Sequence, residues 1–118
     1  MTGRRWDVHL SAAAELDFAN ILKWTAQNFG AQQAQTYKGV LVQAINELAN
    51  GPDVAGSKGR HEIMRGLRTL HVARHGRRAS HFLMYRATAG RTIEIMRILH
   101  DKMDLQRHVP SGPGKVGS

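Results

Sequence analysis

Residues 92–104, Thr-Ile-Glu-Ile-Met-Arg-Ile-Leu-His-Asp-Lys-Met-Asp, constrain this chain more than any other stretch. Ile93, Ile95, Met96, Ile98 and Leu99 form a run rich in β-branched residues and apolar on both faces. That pattern predicts a central strand, because a strand with one wet face alternates apolar with polar residues. A single cation, Arg97, interrupts the run, and His100-Asp101-Lys102 closes it. Those polar residues either form a site or are the way the strand ends.

The rest of the chain predicts what surrounds this strand. Trp6, Val8 and Leu10 alternate with Asp7 and His9, which predicts a strand with one buried face. Ser11 follows as a helix N-cap, with Glu15 and Asp17 near the positive end of the helix it starts. Ala14, Phe18, Ile21, Leu22, Thr25 and Phe29 recur at helical spacing and predict its buried stripe. Gly30 suits a left-handed C-terminal cap. A second helix is expected over 31–50, with Tyr37, Leu41, Ala44, Ile45 and Leu48 as its stripe and Gly51-Pro52 as its stop. Two helices joined through one glycine predict an antiparallel hairpin facing a common partner, most simply a sheet.

Residues 52–66, with Gly56, Gly59 and Gly66 among Lys58, Arg60, His61 and Arg65, read as a mobile, positively charged loop. Strands over 67–73, 81–86 and 92–99 are separated by Arg74-His75-Gly76-Arg77 and Thr88-Ala89-Gly90-Arg91, two turns with glycine available for positive φ. Consecutive hairpins make an antiparallel meander. One or two helical turns are expected over 101–108, stopped by Pro110, and residues 110–118 read as a flexible tail. The expectation is a single α+β domain over 1–109, ordered β-α-α-β-β-β, with the helical hairpin on one sheet face and a short C-terminal helix.

Composition narrows the function. Cysteine is absent from the 118 residues, which excludes disulfides and thiolate zinc sites. No apolar run approaches the roughly 20 residues that span a bilayer, and Arg4-Arg5-Trp6-Asp7 precede no hydrophobic signal segment, so a soluble cytoplasmic protein is expected. The formal charge of +8 is unevenly placed. Residues 6–57 carry Lys23 and Lys38 against five acidic residues, whereas residues 58–107 carry twelve Lys or Arg against Glu62, Glu94, Asp101 and Asp104. The basic half implies an anionic partner, which is nucleic acid, an acidic protein, or both. His71, His75 and His81 gather around one hairpin, but no acidic residue between 63 and 93 completes a metal site, and neither metal nor cofactor is expected.

The element order and the residues that fill it resemble the RelE/ParE superfamily of type II toxin–antitoxin toxins, over about residues 6–108. The resemblance is carried by Leu10-Ser11-Ala12-Ala13-Ala14-Glu15-Leu16-Asp17 at the first strand–helix junction and by Gly66-Leu67-Arg68 entering the second strand. Its most specific piece, Ile95-Met96-Arg97-Ile98-Leu99-His100-Asp101-Lys102-Met103-Asp104, is similar to the closing signature of the ParE branch. The resemblance implies a toxin neutralised by a small antitoxin, here acidic and ParD-like, that wraps it with an extended or helical segment. ParE-like members poison DNA gyrase and so block replication, and RelE-like members cut mRNA on the ribosome.

The two mechanisms need different residues. RNA cleavage by the 2′-hydroxyl needs a base, an acid and cations for the charge building on phosphorus, for which His100, Arg97, Arg65 and His61 are the candidates. Gyrase poisoning needs no chemistry, only a surface that meets the topoisomerase and, through it, DNA. Arg68, Tyr85, Arg97, His100 and Asp104 are the candidates for contact with target or antitoxin. Simpler roles compete with these. Arg97 can pair with Asp104 or Glu94, His100 can start a helix, and Tyr85 can be a core aromatic. The intact closing signature favours the gyrase branch.

Overall fold

A computed structural model describes residues 5–103. Its elements are β1 (Asp7–Leu10), α1 (Ala12–Phe29), α2 (Ala31–Glu47), a 3-10 turn at Leu48–Asn50, β2 (Lys58–Gly59), β3 (Arg68–His71), β4 (His81–Thr88) and β5 (Thr92–His100). The five strands form one sheet in the order β1-β5-β4-β3-β2. The meander β3-β4-β5 is antiparallel, and β1 joins the far side of β5 in parallel. This makes β5 an inner strand, as its apolar run requires.

The helical hairpin forms as its sequence dictates. The Ser11 hydroxyl accepts from the Ala14 N–H (3.0 Å) and caps α1, and the same hydroxyl donates to the Met96 carbonyl (2.8 Å). The Ser11 N–H donates to the Ile95 carbonyl (2.9 Å), so the helix starts where strand pairing ends. Gly30 is the whole connection between the helices. Its N–H closes α1 on Ala26 and its carbonyl receives the Ala34 N–H of α2. Its conformation is φ 98°, ψ 163° rather than the expected left-handed helical cap. One residue that ends one helix and opens the next needs an extended ψ at positive φ, a region open in practice to glycine alone.

The apolar stripes meet the sheet. Ala14, Val40, Leu41, Ala44 and Leu48 pack with Leu70, Leu83, Tyr85, Ile93, Ile95 and Ile98 in the main core. Each fully buried aliphatic side chain there contributes about 1.5–3 kcal/mol. Tyr37 and Ile45 are only half-buried. Phe29, expected in the buried stripe, is 65% exposed and stacks edge-on with Trp24, itself 57% exposed. It is the last residue of α1, beyond the reach of the sheet.

The opposite sheet face has a cover that the glycine-rich reading of 52–66 did not anticipate. Leu67, Met84, Met96 and Leu99 form a second buried cluster under Ile63 and Met64, with Phe82 at its side. The loop is tied down by Arg60 N–H to the Leu67 carbonyl (2.7 Å) and Met64 N–H to the Arg60 carbonyl (3.1 Å), and it contributes β2 at the sheet edge. The apolar side chains on both faces of β5 are therefore buried.

β5 also changes face part-way. Met84 pairs with Arg97 and Tyr85 with Ile95, leaving Met96 as an extra residue in a bulge. Ile93 and Ile95 face the helices before the bulge and Ile98 does so after it, while Met96 and Leu99 face the loop. Simple alternation would have put Arg97 in line with Ile95.

Candidate partner-binding groove

β1 stops at Leu10, opposite Ile95, but β5 runs on to His100. The last turn of β5 thus has backbone groups without a strand neighbour on that side, a liability that folded proteins cover with other groups. Two side chains near the start of α1 do so here. The Ser11 hydroxyl takes the Met96 carbonyl, and Asp17 Oδ2 accepts from the Ile98 N–H at 2.9 Å. The same carboxylate holds Arg97 in a two-point pair, Nε to Oδ2 at 2.7 Å and Nη2 to Oδ1 at 2.9 Å. The Asp17 side chain is 14% exposed and that of Arg97 30%. The hydrogen bond from Asp17 raises the Arg97 pKa above its ordinary value, so the cation is fixed.

Arg97 therefore pairs with Asp17 and not with Glu94. Glu94 is engaged by Arg86 (3.2 Å), and Asp104 lies outside the described residues. Just past the bulge at Met96, Arg97 instead meets Asp17 of α1, a partner eighty residues away in the sequence.

Past this pair opens a groove of about 920 Å³. Ile21, Trp24 and Thr25 of α1 form one wall, with Phe29 at its end, and Ile98, Leu99 and Met103 lie opposite. Trp24, Phe29 and Met103 are among the most exposed large apolar side chains of the protein, so this groove leaves apolar surface uncovered. Its floor ends in a polar cluster. The Tyr37 hydroxyl accepts from the Ser80 N–H (3.0 Å) and lies 2.7 Å from His81 Nδ1. His81 in turn meets His100 edge-on, ring centroids 5.3 Å apart.

Burial pushes His81 down to about 4, helped by the neighbouring His100, so the ring is neutral at physiological pH. A neutral ring accepting the Tyr37 proton at Nδ1 carries its own proton on Nε2. Burial likewise raises the Tyr37 pKa against the opposing effect of the Ser80 N–H. At the rim, His71 Nε2 sits 3.1 Å from Asp101 Oδ2 and holds that carboxyl below its usual range.

The other expected site residues are dispersed. Tyr85 is fully buried and its hydroxyl donates to the Pro52 carbonyl at 2.5 Å, so it offers no surface to a partner. Its place in the register, between Arg68 and Ile95, puts the ring in the main core. Arg68 also holds the Pro52 carbonyl, through Nε at 2.8 Å, and reaches Ser57 Oγ at 2.7 Å, bracing the loop. Arg65 and His61 are exposed on that loop, and His61 Nδ1 faces the Gly66 N–H. His100 lines the groove and accepts the Lys102 N–H at Nδ1 (3.2 Å), closing the strand rather than starting a described helix. The helical turns expected over 101–108 fall mostly outside the described residues. His71, His75 and His81 go to separate partners, Asp101, Glu47 and Tyr37.

Sequence reasoning missed Asp17, Tyr37, His81 and Trp24 as groove residues. Asp17 looked like a helix-start charge and Tyr37 like part of a stripe. Nothing in their local spacing announces neighbours on β4 and β5.

Residues 8–105 match the family model described as the ParE toxin of the type II toxin–antitoxin system parDE. The chain belongs to this toxin family. Toxin ParE1 of Mycobacterium tuberculosis is 34% identical over 100 residues, spanning 85% of this chain and 94% of that protein. Toxin ParE of Escherichia coli is 32% identical over 96 residues, spanning 81% and 85%. Among solved structures, a chromosomal ParDE toxin–antitoxin system from P. aeruginosa superposes with a TM-score of 0.65 at 21% identity, covering 80% of this chain and 95% of that one. The RelBE2 toxin–antitoxin complex of M. tuberculosis superposes at 0.55 with 18% identity, covering 84% and 94%. These two likenesses establish the fold. The expected RelE/ParE architecture is thereby borne out, and ParE is the branch to which this toxin belongs. No helix among the described residues is long and apolar enough to cross a membrane.

Proposed function

We propose that this ParE-family toxin is held inactive by an acidic, ParD-like antitoxin segment seated in the groove, and that the free toxin acts in the cytoplasm by poisoning DNA gyrase. The observation that carries the choice of target is the state of Arg97. A nuclease needs a cation free to meet the charge developing on phosphorus, and here both arms of Arg97 that face Asp17 are held by it. His61 and Arg65 sit on the loop before β3, whereas His100 closes β5 beside His81. A mechanism by contact needs no such assembly, only surface.

The antitoxin reading rests on the uncovered apolar groove. An amphipathic segment lays its apolar face into a groove of this kind, and the neighbouring fold from P. aeruginosa belongs to a ParDE system. Two assays on one preparation test the proposal. Gyrase supercoiling should be inhibited and double-strand cleavage promoted, while an mRNA translated in vitro stays intact. Normal supercoiling at saturating protein would overturn the gyrase reading.

One observation favours the second reading, a RelE-like ribosome-dependent nuclease. His81 and His100 are two titratable rings in one groove, and burial sets the first apart from its ordinary pKa. Codon-phased mRNA cuts that vanish on His100→Ala would establish it in place of gyrase poisoning.

A further inference from the structure

The order of the sheet sorts the charge of the chain. Residues 6–50, which supply β1 and both helices, carry Asp7, Glu15, Asp17 and Glu47 against Lys23 and Lys38. Residues 52–80, which supply β2, β3 and their flanking loops, carry seven Lys or Arg against Asp53 and Glu62. β1 and β2 are the two opposite edges of the sheet, four strand spacings apart. At about 4.8 Å per spacing that is about 19 Å, more than twice the screening length of about 8 Å at physiological salt. Asp7 on β1 therefore leaves the basic edge uncancelled, and Glu47 of α2 reaches it at Arg74 and His75.

Within that edge the cations divide by what holds them. Arg68 is turned inward to Pro52 and Ser57, and Arg74 is paired with Glu47 at 2.6 Å. The Arg74 guanidinium also packs against Gly56, closely enough that a Cβ there would collide with it. That contact sets the β3–β4 turn beside the loop leading to β2, so both segments border the same edge of the sheet, with Arg77 reaching Gly39 of α2. Lys58, Arg65, Arg77 and Arg78 are exposed.

What this edge lacks is as informative as its charge. Protein interfaces centre on buried apolar or aromatic anchors, and single-stranded nucleic acid is held by exposed aromatic platforms. The strongly exposed large apolar side chains among the described residues are Leu16, Trp24, Phe29, Val42 and Met103, none of them within 52–80. Cations without anchors or stacking surfaces suit the phosphate backbone of a duplex, where charge alone supplies affinity.

We propose that the β2–β3 edge of this toxin binds the phosphate backbone of a nucleic-acid duplex directly, through Lys58, Arg65, Arg77 and Arg78. The inference goes beyond the gyrase reading and does not depend on it. A toxin with its own grip on the duplex engages nucleic acid with no protein between them.

Fluorescence anisotropy of labelled 20-base-pair DNA and RNA duplexes titrated with the full chain tests this. Binding is expected at 50 mM salt to at least one duplex, and the two arms identify which. Four phosphate contacts predict a loss of about 150-fold in affinity between 50 and 200 mM salt. The pair Lys58→Glu/Arg65→Glu should weaken binding at least tenfold, and Arg77→Gln/Arg78→Gln, in a separate segment, should weaken it in the same direction. Lys23→Glu on α1 should leave it unchanged. The proposal is overturned by no binding of either duplex at 50 mM salt, by equal sensitivity to Lys23→Glu, or by capture of polyglutamate without capture of either duplex. Supercoiling measured on the same preparation separates the two readings. Gyrase inhibition without duplex binding removes this inference alone, and duplex binding without gyrase inhibition removes the gyrase reading alone.

Discussion

Two polar clusters lie along the last five residues of β5, and they differ in almost every physical respect. The Asp17–Arg97 pair is charged, doubly hydrogen-bonded and largely shielded, and it also satisfies the Ile98 N–H. The Tyr37–His81–His100 cluster keeps His81 neutral at physiological pH and is open to the groove. The first fixes α1 to a strand that has outrun its neighbour. The second leaves a polar end beside an apolar wall, as a recognition surface requires. Two residues that resemble each other in sequence as polar interruptions, Arg97 and His100, thus serve stability and access respectively.

The comparison breaks most readily at Asp17. Asp17→Ala leaves a half-buried guanidinium without its anion and the Ile98 N–H without an acceptor. A loss of about 3 kcal/mol is expected, enough to lower the melting temperature by more than about 10 °C. Thermal unfolding followed by circular dichroism measures it, and a change below about 1 kcal/mol would mean that the pair does not anchor α1. Asp17→Asn keeps acceptors for one arm of Arg97 and should lose less.

The groove should show the opposite profile. Trp24→Ala removes an exposed ring, so stability should move by less than about 0.5 kcal/mol. Binding of an acidic, ParD-like antitoxin should weaken by about 30-fold, or about 2 kcal/mol, as expected for an aromatic anchor. Calorimetric titration reads this, and unchanged affinity would place the antitoxin elsewhere. Bound antitoxin should also raise the melting temperature, by an amount that grows with the logarithm of its excess over Kd.

The smallest effect sharpens the contrast through pH. His81 binds its proton less readily folded than unfolded, so the unfolded chain takes up more protons between the unfolded value near 6.5 and the folded value of about 4. Stability is whole above pH 6.5 and falls as pH drops through that window. The ring is partly solvated, which reduces the loss to about 1 kcal/mol by pH 5. Chemical denaturation at pH 7 and pH 5 measures it, and His81→Phe should flatten the difference. Asp101, held low by His71, loses its contribution only at still lower pH, within the carboxylate range.

The outline of the fold was legible because its signals are local. Ser11 reads as a cap and is one, the single glycine at position 30 forces the helical hairpin, and the apolar run of β5 demands an inner position. The closing signature from Ile95 to Asp104 pointed to the ParE branch, and the family match over 8–105 bears that out. The groove was not legible, because its walls come from α1, α2, β4 and β5, and the helices meet the strands only through tertiary packing. The loop cover was hidden for a related reason. Ile63 and Met64 are only two apolar residues among glycines and cations, too few to show a period, yet enough to seal Met96 and Leu99.

Arg97 marks the boundary between the two kinds of information. The chain by itself determined that a cation would interrupt an inner strand, since charge and apolar spacing are properties of neighbours in sequence. Which anion would meet it depended on a bulge of one residue at Met96 and on where β1 stops. Both are settled only when strands pair, because register is a property of two segments and not of either one. Tertiary structure gave Arg97 to Asp17, and with that contact it turned a candidate catalytic cation into the clamp beside an open groove.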